Sequence, residues 1–156
     1  MAEVSPEAYK DKLPPQSIDA EMAVLGAVLL DNDAYSIATE SITTDSFYKK
    51  AHRDIFGAMT SLAKRGEAYR EYQEGLLAER RFLLEQAERN YRRAVELDPD
   101  FAIAWLRLGM LANVAGQEAL LAFQNADNNK DKATERDRYM IEAMFAANFE
   151  RDQEAA

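Results

Sequence analysis

The amino-acid sequence predicts an all-α protein. Three observations support this fold class: apolar residues recur at helical spacing along most of the chain, no segment alternates apolar and polar residues over the length of a strand, and helix-breaking residues are sparse, with 6 Gly and 4 Pro in 156 residues. The predicted architecture is a fragment of a helical bundle that continues into about two helical hairpins and a C-terminal capping helix.

The N-terminal third predicts an extended arm followed by short helices. Residues 1–16 contain three of the four prolines and precede any periodic segment, so they are expected to be extended. Ser17 is placed to cap the first helix, and the stretch Asp31–Asp33 separates that helix from a second, shorter one. Thr44 is expected to cap a further turn.

The next helix is marked by a regular apolar stripe. We expect it to end with Gly66 in the position that follows a helix, because Lys64 and Arg65 suit the negative end of a helix dipole. The stripe consists of His52, Ile55, Phe56, Met59, Leu62 and Ala63.

Residues 67–97 contain one internal Gly and no Pro, and their periodicity leaves two alternatives open. The segment is either one helix of about 30 residues or two helices joined by a tight turn near Arg80–Leu84. The sequence Asp98-Pro99-Asp100 is a firm helix stop, because proline removes a backbone donor.

The C-terminal third predicts further helices. Thr134 with Asp137 resembles a capping box and opens the last helix, which is apolar nearly all round and is therefore expected to be buried on more than one side. The preceding predicted elements are a helix from about Phe101 to Ala115 ending at Gly116, a short helix from Gln117 to about Ala126, and a solvated loop over residues 127–133.

Composition and charge exclude several classes of function. The net charge is −9, from 19 Lys+Arg against 28 Asp+Glu, which argues against a general nucleic-acid binder and against binding to an anionic membrane. The chain has no Cys and one His, so disulfides, thiolate chemistry and multi-histidine metal centres are excluded. No apolar run approaches the roughly 20 residues of a membrane span, and no secretory signal is visible. A soluble, cytoplasmic protein is expected.

Residues 13–66 resemble the start of the N-terminal domain of DnaB-family replicative helicases. The resemblance implies an all-helical collar domain that carries no chemistry itself and contacts primase, loader and its own copies. It is carried by LPPQSIDAE from Leu13, VLGAVLLDN from Val24, DSFY from Asp45, AHRDIF from Ala51 and RGE from Arg65.

The resemblance stops after Glu67. The family's later helices and its ATPase domain have no counterpart here, and no G-x-x-x-x-G-K-[ST] phosphate-binding loop occurs in the sequence. The chain is therefore predicted not to be an enzyme, with no cofactor.

Residues 69–126 resemble a second family, the tetratricopeptide repeat, with Pro99 at the terminal proline of the first repeat. The resemblance implies hairpins of paired helices, in which Trp105 is expected to be buried. Glu71 and Glu74 depart from the pattern, and residues 134–155 fit only as an atypical capping helix. The other matching positions are Gly75, Ala87, Tyr91 and Ala94 in the first repeat and Leu108, Gly109, Ala119, Phe123 and Ala126 in the second.

The repeat resemblance also implies a candidate peptide groove on the first helix of each repeat. The alternative is that the same side chains pack on neighbouring helices, which the sequence favours because two repeats make only a shallow groove. The candidate groove residues are Tyr69, Tyr72, Leu76 and Arg80 in the first repeat and Leu106, Met110 and Asn113 in the second.

Other candidate site residues have structural explanations. His52 lies on an apolar helical stripe and lacks a catalytic partner, so a structural role is expected. The pairs Asp31/Asp33 and Asp98/Asp100 are expected to cap helices rather than bind a metal. The arginines of residues 80–93 alternate with glutamates, which is typical of a salt-bridged solvent face. No catalytic, cofactor-binding or metal-ligating residue is predicted.

The sequence thus predicts four segments that share one continuous core: an arm over 1–16, helicase-like helices over 17–66, repeat-like hairpins over 67–133 and a capping helix over 134–156. Two functional hypotheses follow. The first is a non-catalytic helical scaffold whose only chemistry is packing and self-association. It would join the two families either by natural gene fusion or as an engineered chimera, and the missing linker and the truncated first domain favour the engineered chimera. The alternative is a DNA-replication-associated interaction module whose partners are proteins or its own copies, without direct contact to nucleic acid or membrane.

Overall fold

The computed structural model describes residues 17–111 and 116–154, and the side chains of 17–31, 33–111 and 116–147. This part of the chain is helical, and it contains no strand, so the all-α prediction is confirmed. Within these residues, no helix combines the length and the hydrophobicity that a transmembrane span requires. The helices are α1 (Ile18–Leu30), α2 (Asn32–Ser41), α3 (Lys50–Arg80), α4 (Leu84–Leu97), α5 (Ala102–Met110), α6 (Gln117–Asn128) and α7 (Glu135–Glu154). Short 3-10 turns lie at Thr44–Ser46 and Lys130–Lys132.

Cap residues fix the first helix boundaries. The Ser17 side chain accepts a hydrogen bond from the Ala20 N–H at 3.2 Å and begins α1 as predicted. Asp31 ends α1 and caps α2, where its carboxylate accepts from the Asp33 N–H at 2.9 Å. The cap of the following 3-10 turn is Thr43, one residue before the predicted Thr44.

The chain divides into two compact units, Met1–Ser61 and Leu62–Ala156. In the first unit, a small core gathers side chains from α1, from the segment before α3 and from the beginning of α3. Its rings are Phe47 and Phe56, whose centroids lie 5.0 Å apart, and Leu25 and Val28 complete the buried set. The predicted segment boundaries and the predicted continuous core remain predictions.

The second unit has the larger core, which depends on two close approaches between helices. A β-carbon added at Gly75 would lie 2.5 Å from Cε1 of Tyr91, so α3 and α4 can approach this closely only because residue 75 is glycine. At Gly109, an added β-carbon would lie 3.1 Å from Cε1 of Phe123, between α5 and α6. The largest fully buried side chains of this core are Tyr91, Leu106 and Ile141.

The predicted helix end at Gly66 is wrong. Helix α3 continues through Gly66 to Arg80, because the flanking Arg65, Glu67 and Ala68 are good helix formers and a single glycine costs only about 1 kcal/mol. The open question about residues 67–97 is answered by a turn at 81–83, so two helices occupy this segment.

The boundaries near residues 101–133 also differ from the prediction. Helix α5 ends at Met110 rather than Ala115, because Leu111 has an extended backbone and places its side chain in the core. Asp127 and Asn128 belong to α6, and the remainder of the predicted loop includes a 3-10 turn.

Helix α7 begins as predicted, and among its described side chains, residues 135–147, the exposed face carries Arg136, Tyr139 and Ala143. The Asp137 N–H donates to Oγ1 of Thr134 at 3.2 Å, which confirms Thr134 as the cap. Ile141 is fully buried, whereas Tyr139 is exposed to solvent. The expected burial of Trp105 is correct only in part: its ring is half-buried, and its indole N–H donates to the Pro99 carbonyl at 2.9 Å.

Candidate functional site

The candidate groove residues of α3 lie at different depths. Tyr69 and Arg80 are exposed, Leu76 is half-buried, and Tyr72 is buried in the core of the second unit. Their spacing along one helix is as predicted, but only part of the set is available to a ligand.

The candidate groove residues of α5 also differ in their exposure to solvent. Leu106 is 0% exposed and belongs to the core. A fully buried side chain cannot touch a peptide, so Leu106 is not part of a groove. Met110 is exposed at the end of α5. Asn113 lies outside the described residues.

An open cleft of about 570 Å³ lies beside Tyr69 and Tyr72 in the second unit. These two rings and Phe101 form an aromatic cluster, with centroids 6.4 Å apart for Tyr69–Tyr72 and 5.1 Å apart for Tyr72–Phe101. The structure thus brings two of the seven candidate groove residues to one cleft. Its other lining residues are Arg65, Gln73, Asp98, Asp100, Ala102, Ile103, Lys132, Ala133, Thr134 and Asp137.

Charged side chains at the cleft are paired with one another. Arg65 Nε lies 3.8 Å from Oδ2 of Asp98, and Lys132 Nζ lies 2.8 Å from Oδ1 of Asp100. Paired charges around aromatic rings suit the binding of an apolar or amphipathic side chain.

A polar network joins the walls of the core behind this cleft. The Tyr91 hydroxyl donates to Oε2 of Glu79 at 2.7 Å, and Nη1 of Arg107 lies 3.5 Å from Oε1 of the same carboxylate. Burial, followed by the hydrogen bond to Glu79, raises the pKa of Tyr91. Burial also raises the pKa of Tyr72, although Arg107 opposes this shift.

Sequence reasoning missed Glu79 and Arg107 as members of this network. The only indication in the sequence was that Glu79 and Arg107 are charged residues on predicted helices that are otherwise partly apolar. Since the partners lie 28 positions apart, periodicity within one helix could not identify the pair.

The second polar network, in the first unit, contains His52. Its Nδ1 lies 2.7 Å from Oε2 of Glu21, and Oε1 of that carboxylate accepts from the Tyr48 N–H at 2.6 Å. Burial opposes ionisation of Glu21, but the hydrogen bonds from Tyr48, His52 and Lys49 lower its pKa overall. Glu21 therefore holds the chain that enters α3. His52 itself is buried, and its structural role stays a prediction.

Of the two acidic pairs, only the first supplies a side-chain helix cap, because α5 begins after Phe101 without one. Asp31 caps α2, and Oδ1 of Asp98 accepts from the Asp100 N–H at 3.2 Å in the turn before α5. Within residues 17–111 and 116–154, no three His, Cys, Asp or Glu side chains converge on a point where a metal ion would bind.

The basic segment is salt-bridged only in its second half. Arg92 contacts Glu88 and Glu118, and these hydrogen bonds raise the pKa of its guanidinium. Arg93 pairs with Glu96 at 3.1 Å. The first half of this segment, Arg80 to Arg89, includes arginines without such partners.

Comparison with known proteins locates the similarity in the N-terminal part of the chain. Residues 13–70 match the family model of the DnaB-like helicase N terminal domain. The chain is 52% identical over 61 residues to the replicative DNA helicase DnaB of Treponema pallidum (strain Nichols), which covers 39% of this chain and 14% of that helicase. It is 51% identical over 61 residues to the replicative DNA helicase DnaB of Geobacillus stearothermophilus, covering 39% of this chain and 13% of that relative.

The chain is also 49% identical over 61 residues to the replicative DNA helicase DnaC of Bacillus subtilis (strain 168). That alignment covers 39% of this chain and 13% of the relative. No solved structure matches the chain. The chain therefore spans a small fraction of the length of the curated relatives it matches. The predicted resemblance of residues 13–66 to the helicase N-terminal domain is confirmed, and it extends to residue 70.

Proposed function

We propose that this chain is a non-catalytic protein–protein interaction module associated with DNA replication. The observation that carries the proposal is the match of residues 13–70 to the DnaB-like helicase N terminal domain. That domain is separate from the helicase ATPase, and the sequence contains no phosphate-binding loop. A cytoplasmic location goes with this proposal.

Exposed apolar side chains in the first unit support the proposal. An exposed apolar surface of this kind is typical of a contact with another protein. The α1 and α2 side chains concerned are Met22, Leu29, Leu30 and Ile37. Because the resemblance implies contacts with primase, loader or further copies, these are the proposed partners.

The test is a calorimetric titration in which a primase C-terminal domain is added to the full chain. We expect saturable binding that weakens at least tenfold in a Leu29→Ser, Leu30→Ser variant, since truncated interface anchors commonly cost about 2 kcal/mol. Leu121→Ser is the matched control, because Leu121 is an exposed leucine on α6 in the other unit.

Light scattering over a concentration series tests self-association with the same variants. A molar mass that rises with concentration, and falls back in the double variant, would support contacts between copies. A fixed monomer that also fails to bind the primase domain would contradict the proposal.

The second candidate function is a helical scaffold, an engineered chimera in which tetratricopeptide-like hairpins replace the later helices of the helicase domain. The close packing of Tyr91 on Gly75 and of Phe123 on Gly109 favours the repeat-like hairpins of this candidate, because small residues at these positions fit the repeat pattern. A scaffold of this kind predicts no binding to the primase domain. Its candidate peptide site is the cleft at Tyr69 and Tyr72.

A further inference from the structure

The turn between α3 and α4 has an unusual residue at its tightest point. The Phe82 N–H donates to the Glu79 carbonyl at 2.9 Å, and the Leu83 N–H donates to the Ala78 carbonyl at 3.0 Å. These two bonds form the Schellman motif that ends many helices, in which the residue at the position of Phe82 is left-handed and usually glycine. Phe82 adopts this conformation, with φ of 60°.

Phe82 gains little from this position. A left-handed backbone is unfavourable for a bulky L-residue, because its β-carbon crowds the following carbonyl. Its ring is 87% exposed, so core packing does not compensate for the unfavourable backbone. An aromatic residue held at a strained position in solvent indicates a role outside folding.

The neighbours of Phe82 extend an apolar surface. Leu83 and Leu84 are also exposed, so three consecutive apolar side chains face solvent at one turn. They border a shallow hollow of about 420 Å³ that also involves Glu85, Gln86 and Arg89.

Unpaired arginines surround this surface. Arg80, Arg81 and Arg89 are exposed, and within the described side chains none of the three forms an ion pair, in contrast to Arg92 and Arg93 on the same helical hairpin. Between Arg80 and Arg89 the sequence has two carboxylates, Glu85 and Glu88, and Glu88 is paired with Arg92. The turn therefore presents a local positive charge on a protein whose net charge is −9.

We propose that this turn, Phe82–Leu84 with Arg80, Arg81 and Arg89, binds an amphipathic acidic peptide segment. The apolar face of the peptide would cover Phe82, Leu83 and Leu84. The carboxylates of the peptide would pair with the arginine guanidinium groups, which bind carboxylates in bidentate geometry. Charge complementarity selects this partner, because the rest of the acidic surface repels such a peptide and leaves the basic turn as its contact. This site is independent of the replication module proposed for residues 13–70.

The test is calorimetric titration of the full chain with a synthetic helical peptide of about 18 residues, roughly five turns, that carries leucines on one face and glutamates beside them. We expect saturable binding that weakens as salt is added, because the ion pairs are at the surface. A peptide with glutamine in place of glutamate should bind about tenfold more weakly, which corresponds to 1.4 kcal/mol.

Phe82→Gly separates binding from folding. Glycine accepts the left-handed conformation without strain, so the melting temperature should stay the same or rise. Affinity for the acidic peptide should fall about tenfold, as for a lost aromatic anchor. Arg80→Gln with Arg81→Gln should also weaken binding and flatten its salt dependence. Arg70→Gln, an exposed arginine on the same helix, and Leu121→Ala are the matched controls that should bind normally.

Several outcomes would overturn the proposal. One is equal binding of the glutamine peptide, and another is unchanged affinity in Phe82→Gly. Binding of a single-stranded oligonucleotide or of anionic vesicles through Phe82, without binding of the peptide, would assign the turn to a different partner. A concentration-dependent molar mass that Phe82→Gly abolishes would assign it to a second copy of the chain.

Discussion

At the scale of single residues, the structure depends on contacts that permit no larger side chain. Gly75 is the sharpest case, because the Tyr91 ring occupies the space that a β-carbon would need. The repeat-like pattern placed small residues at 75 and 109, and the packing explains why they are small. In contrast, Glu79 and Arg107 become partners only when α3 and α5 are brought together, so no local pattern could reveal them.

We expect Gly75→Ala to destabilise the protein by about 1–3 kcal/mol, because overpacking displaces Tyr91 by more than helix propensity recovers. Gly26→Ala is the matched control. Gly26 lies inside α1 with nothing within 4 Å of an added β-carbon, so alanine should stabilise by about 0.5–1 kcal/mol. Urea unfolding measures both, and equal effects of the two substitutions would show that the 75–91 contact is not tight.

At the scale of elements, the existence of most helices could be predicted from periodicity, but several of their ends could not. Ser17, Asp31 and Thr134 were found because a cap is a local feature. The end at Gly66 was misplaced, because glycine both ends helices and is tolerated inside them, and the end at Ala115 was misplaced because Leu111 turns into the core. Whether a helix continues past such a glycine depends also on the burial of the next helical turn, and a single sequence does not show that burial.

The continuity of α3 through Gly66 gives a prediction of definite sign. Gly66 is helical with open space around it, so Gly66→Ala should stabilise by about 0.5–1 kcal/mol. Gly116→Ala is the opposite control, because Gly116 has φ of 65° and an alanine there is strained. Thermal unfolding followed by circular dichroism distinguishes the two. A destabilising Gly66→Ala would contradict a continuous helix.

At the scale of the whole molecule, the sequence predicted the fold class and the helicase-like part. The candidate groove could be anticipated only as a set of positions on two helices. The depth of each position could not be anticipated, because Tyr69 and Tyr72 are both candidate groove residues of α3, yet the first is exposed and the second is buried. Exposure at a helix face depends on what other elements cover it, and that is settled only in three dimensions.

Each unit has its own buried aromatic residue, which allows their coupling to be measured. Phe56 and Tyr91 are among the largest fully buried side chains, and α3 supplies residues to both cores. We expect Phe56→Ala and Tyr91→Ala each to cost about 3–5 kcal/mol in one shared urea transition. Two separate transitions, each moved by only one of the substitutions, would indicate independently folding units.

The half-buried indole described above has a practical consequence for spectroscopy. Trp105 is the single tryptophan of the sequence, and its N–H is held by the Pro99 carbonyl at the turn between α4 and α5. Intrinsic emission therefore reports on one place, and its red shift marks the opening of that turn rather than the loss of helices elsewhere. Events confined to the Met1–Ser61 unit need a different chromophore.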